Sequence, residues 1–412
     1  LRFNKNICVV LFIVAFSLAG YAEDRTYVLG TSLNLTGGGT NRLSGAGIGG
    51  QPDVTGVGPT TNQPLFLFYG AFPTINLTSK GRRSLFDASY SYGTNWSKAT
   101  QKFGSQTHSG SLRYSVPLSK ELQISFSDSV LSTSSSASFN ASRGVLTDAT
   151  QPFVFFPEAF QITARSNAAI FAAIYQASDR SSLTVNLSNL LLNYEGVNGT
   201  AVTALSNQNR YSGDIGYSYQ SGKDETWTAG FTAAYMNFKT FGNAYVQSPH
   251  IGYSNQIAPG LTMNFTVGLS QVKSQATGAS YTGYDSSAGL RKSIGSNDAL
   301  SANFTQTSAD TSGLGSVSNT WRTGVSYSHP QGSATMMVDT SFFETKGTLD
   351  NTFGARGIDV MANAGVPLSS RWAFQITGQY QRYYNASVFG FTDRRFFLSL
   401  HYNNPTLWKG SR

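Results

Sequence analysis

From about residue 84 onward, oily and wet side chains take turns along segment after segment of this chain. Phe86, Ala88, Tyr90 and Tyr92 alternate with Asp87, Ser89 and Ser91, and Leu261, Met263, Phe265, Val267 and Leu269 with Thr262, Asn264 and Thr266. Leu300, Ala302 and Phe304 alternate with Asn303 and Thr305, and Trp372, Phe374, Ile376 and Tyr380 with Gln375, Thr377, Gln379 and Gln381. Successive side chains of a strand point to opposite faces, so a period of two means a sheet whose faces meet different solvents. No apolar i, i+3, i+4 pattern is sustained after residue 22, which excludes a helical fold. Charged residues are only 12% of the chain, against about a quarter in soluble domains, and aromatic residues reach 13%. The chain is therefore expected to be all-β.

Between the alternating segments lie short breaks rich in turn formers: Pro117-Leu118-Ser119-Lys120, Ala177-Ser178-Asp179-Arg180, Ser221-Gly222-Lys223-Asp224, Ala258-Pro259-Gly260, Gly295-Ser296-Asn297-Asp298, Pro330-Gln331-Gly332 and Pro367-Leu368-Ser369-Ser370. Looser polar stretches fall between them. Tight turn, strand, loop, strand is the rhythm of an up-and-down antiparallel sheet, and the turns imply about sixteen strands, with 14 to 18 admissible. Pro249 falls inside one expected strand, where it removes a ladder donor and predicts a bulge or kink.

Alternation alone also describes a soluble sandwich, and the placement of the large aromatic residues decides between the two. Trp227 and Tyr235, Tyr245 and Tyr253, Tyr211 and Tyr219, and Trp372 and Tyr380 are same-face pairs eight residues apart. On a strand tilted by about 40° that spacing climbs roughly 20 Å, close to the ~25 Å apolar band between the aromatic girdles of a membrane barrel. The near-turn members, with Tyr114, Tyr175, Tyr327 and Tyr402, gather at one rim. A sandwich core would hold its aromatic residues in mid-strand. After residue 22 the longest apolar run, Ala168 to Tyr175, is eight residues, far short of a spanning helix. A closed barrel is the other structure that satisfies every backbone group in lipid.

The N-terminal segment has the organisation of an export signal. Arg2 and Lys5 precede the apolar stretch Ile7 to Leu18, and Gly20-Tyr21-Ala22 supplies small residues at −3 and −1, so cleavage is expected after Ala22. Removal of 1–22 takes away Cys8, the one cysteine, and leaves 27 basic against 21 acidic residues, a net charge of +6. Disulfides and cysteine metal sites are thereby excluded from the processed chain. The basic residues are scattered singly along the strands, which argues against nucleic acid and fits a cationic lumen or contact with lipopolysaccharide. No cofactor is implied.

Taken with the signal segment and the girdles, the last strand carries a resemblance. Phe396, Leu398, Leu400 and Tyr402 alternate with Arg395, Ser399 and His401, and the whole pattern resembles porin-type outer-membrane β-barrel proteins. The resemblance implies a bacterial outer-membrane location, contact with lipid and lipopolysaccharide, and reading of the last strand by barrel-assembly machinery; homo-oligomers are compatible with it. The organisation expected is a signal peptide (1–22), a Gly/Thr-rich arm or plug (23–83) for which an extra strand is the alternative, the barrel (84–403) and a tail (404–412).

Sixteen strands enclose an aqueous channel, so the expected function is passive diffusion of small hydrophilic solutes. The alternative is a plugged transporter, or an export or scaffold barrel associated with surface polysaccharide or hydrophobic substrates. Parity directs Arg113, Arg291, Arg322 and Arg395 inward beside Asp87, Asp214, Asp339 and Asp359, a mixed set suited to a transverse field. The longest loop, about 133 to 161, carries Phe153, Phe155, Phe156 and Glu158 and is a candidate constriction if it folds inward, or a cap if it lies outside the barrel. The four histidines, His108, His250, His329 and His401, lie in no nucleophile or metalloprotease motif, so no enzyme is expected.

Overall fold

The computed structural model describes residues 25–40, 66–97, 105–133, 162–196, 207–239, 242–295, 297–311, 316–331, 334–348, 354–384 and 391–411. Within them the chain forms eighteen strands: β1 (Thr26–Thr40), β2 (Phe66–Lys80), β3 (Leu85–Ser97), β4 (Ser105–Pro117), β5 (Leu122–Thr133), β6 (Ile162–Ser178), β7 (Ser181–Gly196), β8 (Gln208–Gln220) and β9 (Glu225–Phe238), followed by β10 (Gly242–Ala258), β11 (Leu261–Ser274), β12 (Ser280–Ile294), β13 (Asp298–Thr311), β14 (Ser316–Gln331), β15 (Ala334–Gly347), β16 (Gly354–Pro367), β17 (Trp372–Tyr384) and β18 (Phe391–Ser411). Each strand pairs antiparallel with the next. β1 pairs with both β2 and β18, which closes the barrel and leaves no free edge.

Even-to-odd connections are two to four residues long, and odd-to-even ones run from three to 28, so the barrel has a turn end and a loop end. All seven turns expected from the sequence lie at the turn end. Two of them share one device. In Pro117-Leu118-Ser119-Lys120 the Ser119 hydroxyl accepts the N–H groups of Glu121 and Leu122 at 3.1 and 3.0 Å, and in Pro367-Leu368-Ser369-Ser370 Ser369 accepts those of Arg371 and Trp372 at 3.3 and 3.2 Å. A serine hydroxyl that mimics a backbone acceptor fixes each turn and thereby the register of the strands around it.

The ladder pairs place one parity outside. Trp227 lies beside Tyr253 with ring centroids 4.6 Å apart, Tyr253 beside Phe265 at 5.6 Å and Trp372 beside Tyr402 at 4.9 Å, all tilted pairs toward the turn end. Toward the loop end Tyr211, Tyr235 and Tyr245 form a second row, with spacings of 6.5 and 5.1 Å. Between the rows the same face carries Phe231, Ile251, Val267 and Leu269, all exposed. Apolar side chains left open in this way mark the surface that meets acyl chains.

Residues 23–83, expected as an arm or plug, instead supply two wall strands within their described part. β1 and β2 carry alternating faces of their own: Leu33, Leu35 and Ile75 point out, while Asn34, Thr36 and Thr74 point in. The Gly run 37–39 had masked this pattern. Arg25 anchors the entry to β1 by donating to Ser79 Oγ at 3.2 Å and Ser84 Oγ at 2.7 Å, the latter in the first turn. The expected tail 404–412 is likewise wall through Ser411. It pairs with the start of β1 across a register shift between Leu29 and Thr31, and Pro405 falls in the shifted part of β18. The wall therefore extends beyond the expected limits of 84–403. Pro249 brings no bulge: Gln247 pairs with Gln271 and His250 with Gly268 in one unbroken register, and only the two residues between them lack β11 partners. The signal segment and its expected cleavage point lie outside the described residues.

One ladder is short. β12 and β13 pair only from Ser286–Gln306 down to Ile294–Asp298, so their loop-end halves part. Near this seam is a buried apolar cluster of Ala234, Met236, Phe238, Ala244, Val246, Val272 and Val317, flanked by Tyr281.

Candidate functional site: the lumenal wall

A recess of about 520 Å³ is lined by Asn76, Thr78, Asp87, Ser89, Arg113 and Ser127, among others, and its lining reaches from β2 to β6. Ten of its thirteen lining residues share the parity opposite the girdles, which is therefore the lumenal one. Across the barrel that face is dominated by hydroxyl, amide and charged groups. Hydroxyl pairs bridge neighbouring strands, as in Ser89–Ser111 at 2.7 Å, Ser188–Ser212 at 2.6 Å and Ser301–Ser326 at 2.5 Å. Such pairs satisfy the hydroxyl groups within the wall and keep those parts of the lumenal face polar.

The register sets all eight charged residues singled out in the sequence on the lumenal parity, in separate groups. Asp87 and Arg113 are direct cross-strand partners on β3 and β4. Thr78 Oγ1 donates to Asp87 Oδ1 at 2.8 Å, whereas Arg113 makes no hydrogen bond or ion pair with the described residues and is exposed in the recess. Arg291 on β12 lies near the turn end, opposite Thr262 and Ser301. Asp214 on β8 accepts from Thr232 at 2.8 Å and from Asn186 at 3.4 Å, which ties β7, β8 and β9 together.

The densest group spans β14 to β18. Arg322 Nη2 donates to Ser341 Oγ at 2.8 Å and lies within electrostatic reach of Asp339 and Asp359. Asp359 is buried: its Oδ2 accepts from Gln381 Nε2 at 2.9 Å, and no hydrogen bond to its Oδ1 is found among the described residues. Arg395 follows on β18 opposite Gln379. A cation, two carboxylates and an amide side by side make a strong local field across the lumen. Phe153, Phe155, Phe156 and Glu158 lie outside the described residues.

The residues that sequence reasoning missed are the partners rather than the charges. Gln381, Ser341, Thr232 and Asn186 are ordinary polar residues until the register sets them beside a carboxylate. Lumenal rings were missed as well, Phe68, Phe72 and Phe397 among them. Phe68 and Phe397 meet edge to face at 5.5 Å on either side of Gly38, and Phe72 lies over Gly93, where an added Cβ would stand 2.1 Å from the ring. Glycines opposite bulky partners were the available signal. The histidines are dispersed: His108 sits against Tyr90 and Tyr92 on the outer face, His401 bonds Gln375 at 2.8 Å in the lumen, His250 is lumenal on β10, and His329 pairs with Asp298 by the turn end.

A closed antiparallel wall, girdled outside and polar within, defines a β-barrel of the outer-membrane type. Comparison with solved structures finds the same fold. Two variants of the FrpB iron transporter from Neisseria meningitidis match with TM-scores of 0.51 and 0.50 at 9% identity, over 86% and 90% of this chain and 61% and 63% of theirs. The chain thus spans less than two thirds of the length of these relatives. Acinetobacter baumannii OccAB4 matches with a TM-score of 0.49 at 11% identity, over 95% of this chain and 100% of its own. No family model matches the sequence, and no curated protein matches it.

Proposed function

We propose that the chain forms a water-filled transport pore in a bacterial outer membrane, reached after cleavage near Ala22, and that small hydrophilic solutes cross it by diffusion. The observation that carries this reading is the polar, charged lumenal face of a closed wall of eighteen strands, since barrels of 16–18 strands are wide enough to leave an aqueous channel. The short turns then face the periplasm and the long loops the exterior, with lipid and lipopolysaccharide around the girdles. The alternating aromatic stretch of β18 is the segment offered to assembly machinery.

In this reading Arg113 and the group around Arg322 are the solute's polar contacts. Reconstitution of the refolded chain into planar bilayers tests it: stepwise single-channel currents are expected, and a folded barrel that never conducts overturns free diffusion. A second reading, a barrel for cargo with an apolar face such as a saccharide or an amphiphile, draws on Phe68, Phe72 and Phe397. Reversible current block by oligosaccharides, lost in Phe68→Ala, would favour it over plain diffusion.

A further inference from the structure

The parted halves of β12 and β13 do not simply gape. Past Gln306 the ladder stops, and the N–H of Ser308 donates instead to Asp285 Oδ1 at 2.8 Å. Asp285 is on the lumenal parity of β12, because it pairs with Gly268 of β11, one residue from the outward Val267 and Leu269. Ser308 is on the outward parity of β13, in step with Phe304 and Gln306. A backbone N–H lies in the plane of its sheet, so this bond sets the edge of β13 against the inner face of β12, and β13 also approaches β11, its neighbour but one.

Val317, on the outward parity of β14, completes the picture. It is fully buried in a cluster with Ala234, Met236, Ala244, Val246 and Val272, all lumenal on β9 to β11. That patch is where the alternation lapses, since lumenal positions on these strands turn apolar only toward the loop end. β15 is bound into the same unit: Thr348 donates to the Val317 carbonyl from its N–H at 2.9 Å and its hydroxyl at 2.8 Å, and Thr320 and Thr345 share a hydrogen bond of 3.0 Å. The loop-end rims of β13, β14 and β15 are thus tucked inside the wall formed by β9 to β12, with apolar side chains as the seal.

From this overlap we infer that the wall itself builds the constriction: the tucked rims of β13–β15 set the size cut-off of the pore, and Val317 is the residue that holds them in place. The inference rests on the pore reading above. Within the seal Val246, Val272 and Tyr281 are direct cross-strand partners close to the loop ends of β10, β11 and β12, so it narrows the mouth at the loop end rather than the middle of the channel. A solute has to pass between the tucked rims and the rest of the lumenal face.

The test is Val317→Asp, which puts a charge into the seal, beside Val317→Ile, which preserves it. Folding of each is checked by heat-modifiable migration. Val317→Asp is expected to raise single-channel conductance about twofold or more and to admit larger polyethylene glycols in polymer-exclusion recordings, while Val317→Ile matches the parent. A folded Val317→Asp barrel with unchanged conductance and exclusion overturns the inference and leaves the pore reading intact; a parent that is silent and a Val317→Asp that conducts supports it.

Should Val317→Asp fail to fold, the pair Val317→Cys/Val272→Cys in a Cys8→Ser background gives the answer. Bridging by a short bifunctional thiol reagent, with conductance the same before and after, is expected of rims that already lie inside. Failure to bridge in the folded barrel, or a bridge that shuts an open pore, overturns the inference.

Discussion

Arg113 and Asp87 show how a register pair can remain chemically separate. Asp87 is engaged by Thr78, while the Arg113 guanidinium is left to the recess with hydroxyl groups around it. Because the cation makes no hydrogen bond with the described residues, its removal costs the fold little, since surface substitutions away from such features stay within about 0.5 kcal/mol. Its effect on ions is larger. A unit charge acting at about 4 Å through water contributes on the order of 1 kcal/mol, roughly a fivefold change in local ion preference. Arg113→Gln is therefore expected to shift the reversal potential in a salt gradient toward cations, and Arg113→Glu further in the same direction, with unchanged melting. Asp359→Asn is expected to be costlier for structure, because Oδ2 accepts from the Gln381 amide at 2.9 Å in a buried position. An amide turned the wrong way leaves one of those groups unsatisfied, at about 1–3 kcal/mol; thermal unfolding in detergent, followed by heat-modifiable migration, measures it.

The single strand is the scale at which the two solvents separate. On β11, Val267 faces out between the girdles and Thr266 faces in, so the same substitution at adjacent residues should give opposite results. Val267→Arg is expected to destabilise by about 2–4 kcal/mol, the cost of a basic side chain near the bilayer midplane. Thr266→Arg should leave stability nearly unchanged and lower conductance. Equal losses in denaturant titrations of the two variants would show that the faces had been assigned wrongly. This strand was legible in the sequence because each of its turn-end residues obeys the two-residue period, and the same holds for the girdle tyrosines and the seven turns. β1 and β2 were not, since glycines dilute the outward face of β1 and Pro73 interrupts β2. The last strand was expected to end by 403 because the resemblance puts its final aromatic residue at the strand's end, whereas the register shift near Pro405 lets the ladder resume. The lumenal charges could be placed by parity. Their partners could not, because a hydrogen bond such as Gln381 to Asp359 depends on inter-strand register, which no single strand encodes.

Closure is a property of the whole molecule, and it depends on the part of the chain that looked least like a barrel. β1 is the strand that joins β2 to β18, and it does so at close quarters: a Cβ on Gly38 would lie 2.0 Å from the carbonyl oxygen of Phe396, so the glycine is what lets the last strand approach. Were residues 25–83 a plug, their deletion would leave the wall intact and enlarge the current. As two strands of the wall, they leave β3 and β18 with unpaired N–H and C=O groups when removed, and an open edge in lipid costs several kcal/mol for each unsatisfied group. The shortened chain is therefore expected to lose heat-modifiable migration and to give no discrete channels, and Gly38→Val should reproduce the defect more mildly by obstructing the same joint. The two designs differ in what they leave behind. The deletion removes both faces of the joint, whereas Gly38→Val keeps every ladder donor and acceptor and alters one contact, so raised temperature or longer refolding should separate slow closure from none. A deletion variant that still migrates as a compact barrel and carries larger currents than its parent would mean that the wall closes through β3 and β18, with the first two strands serving as a removable insert.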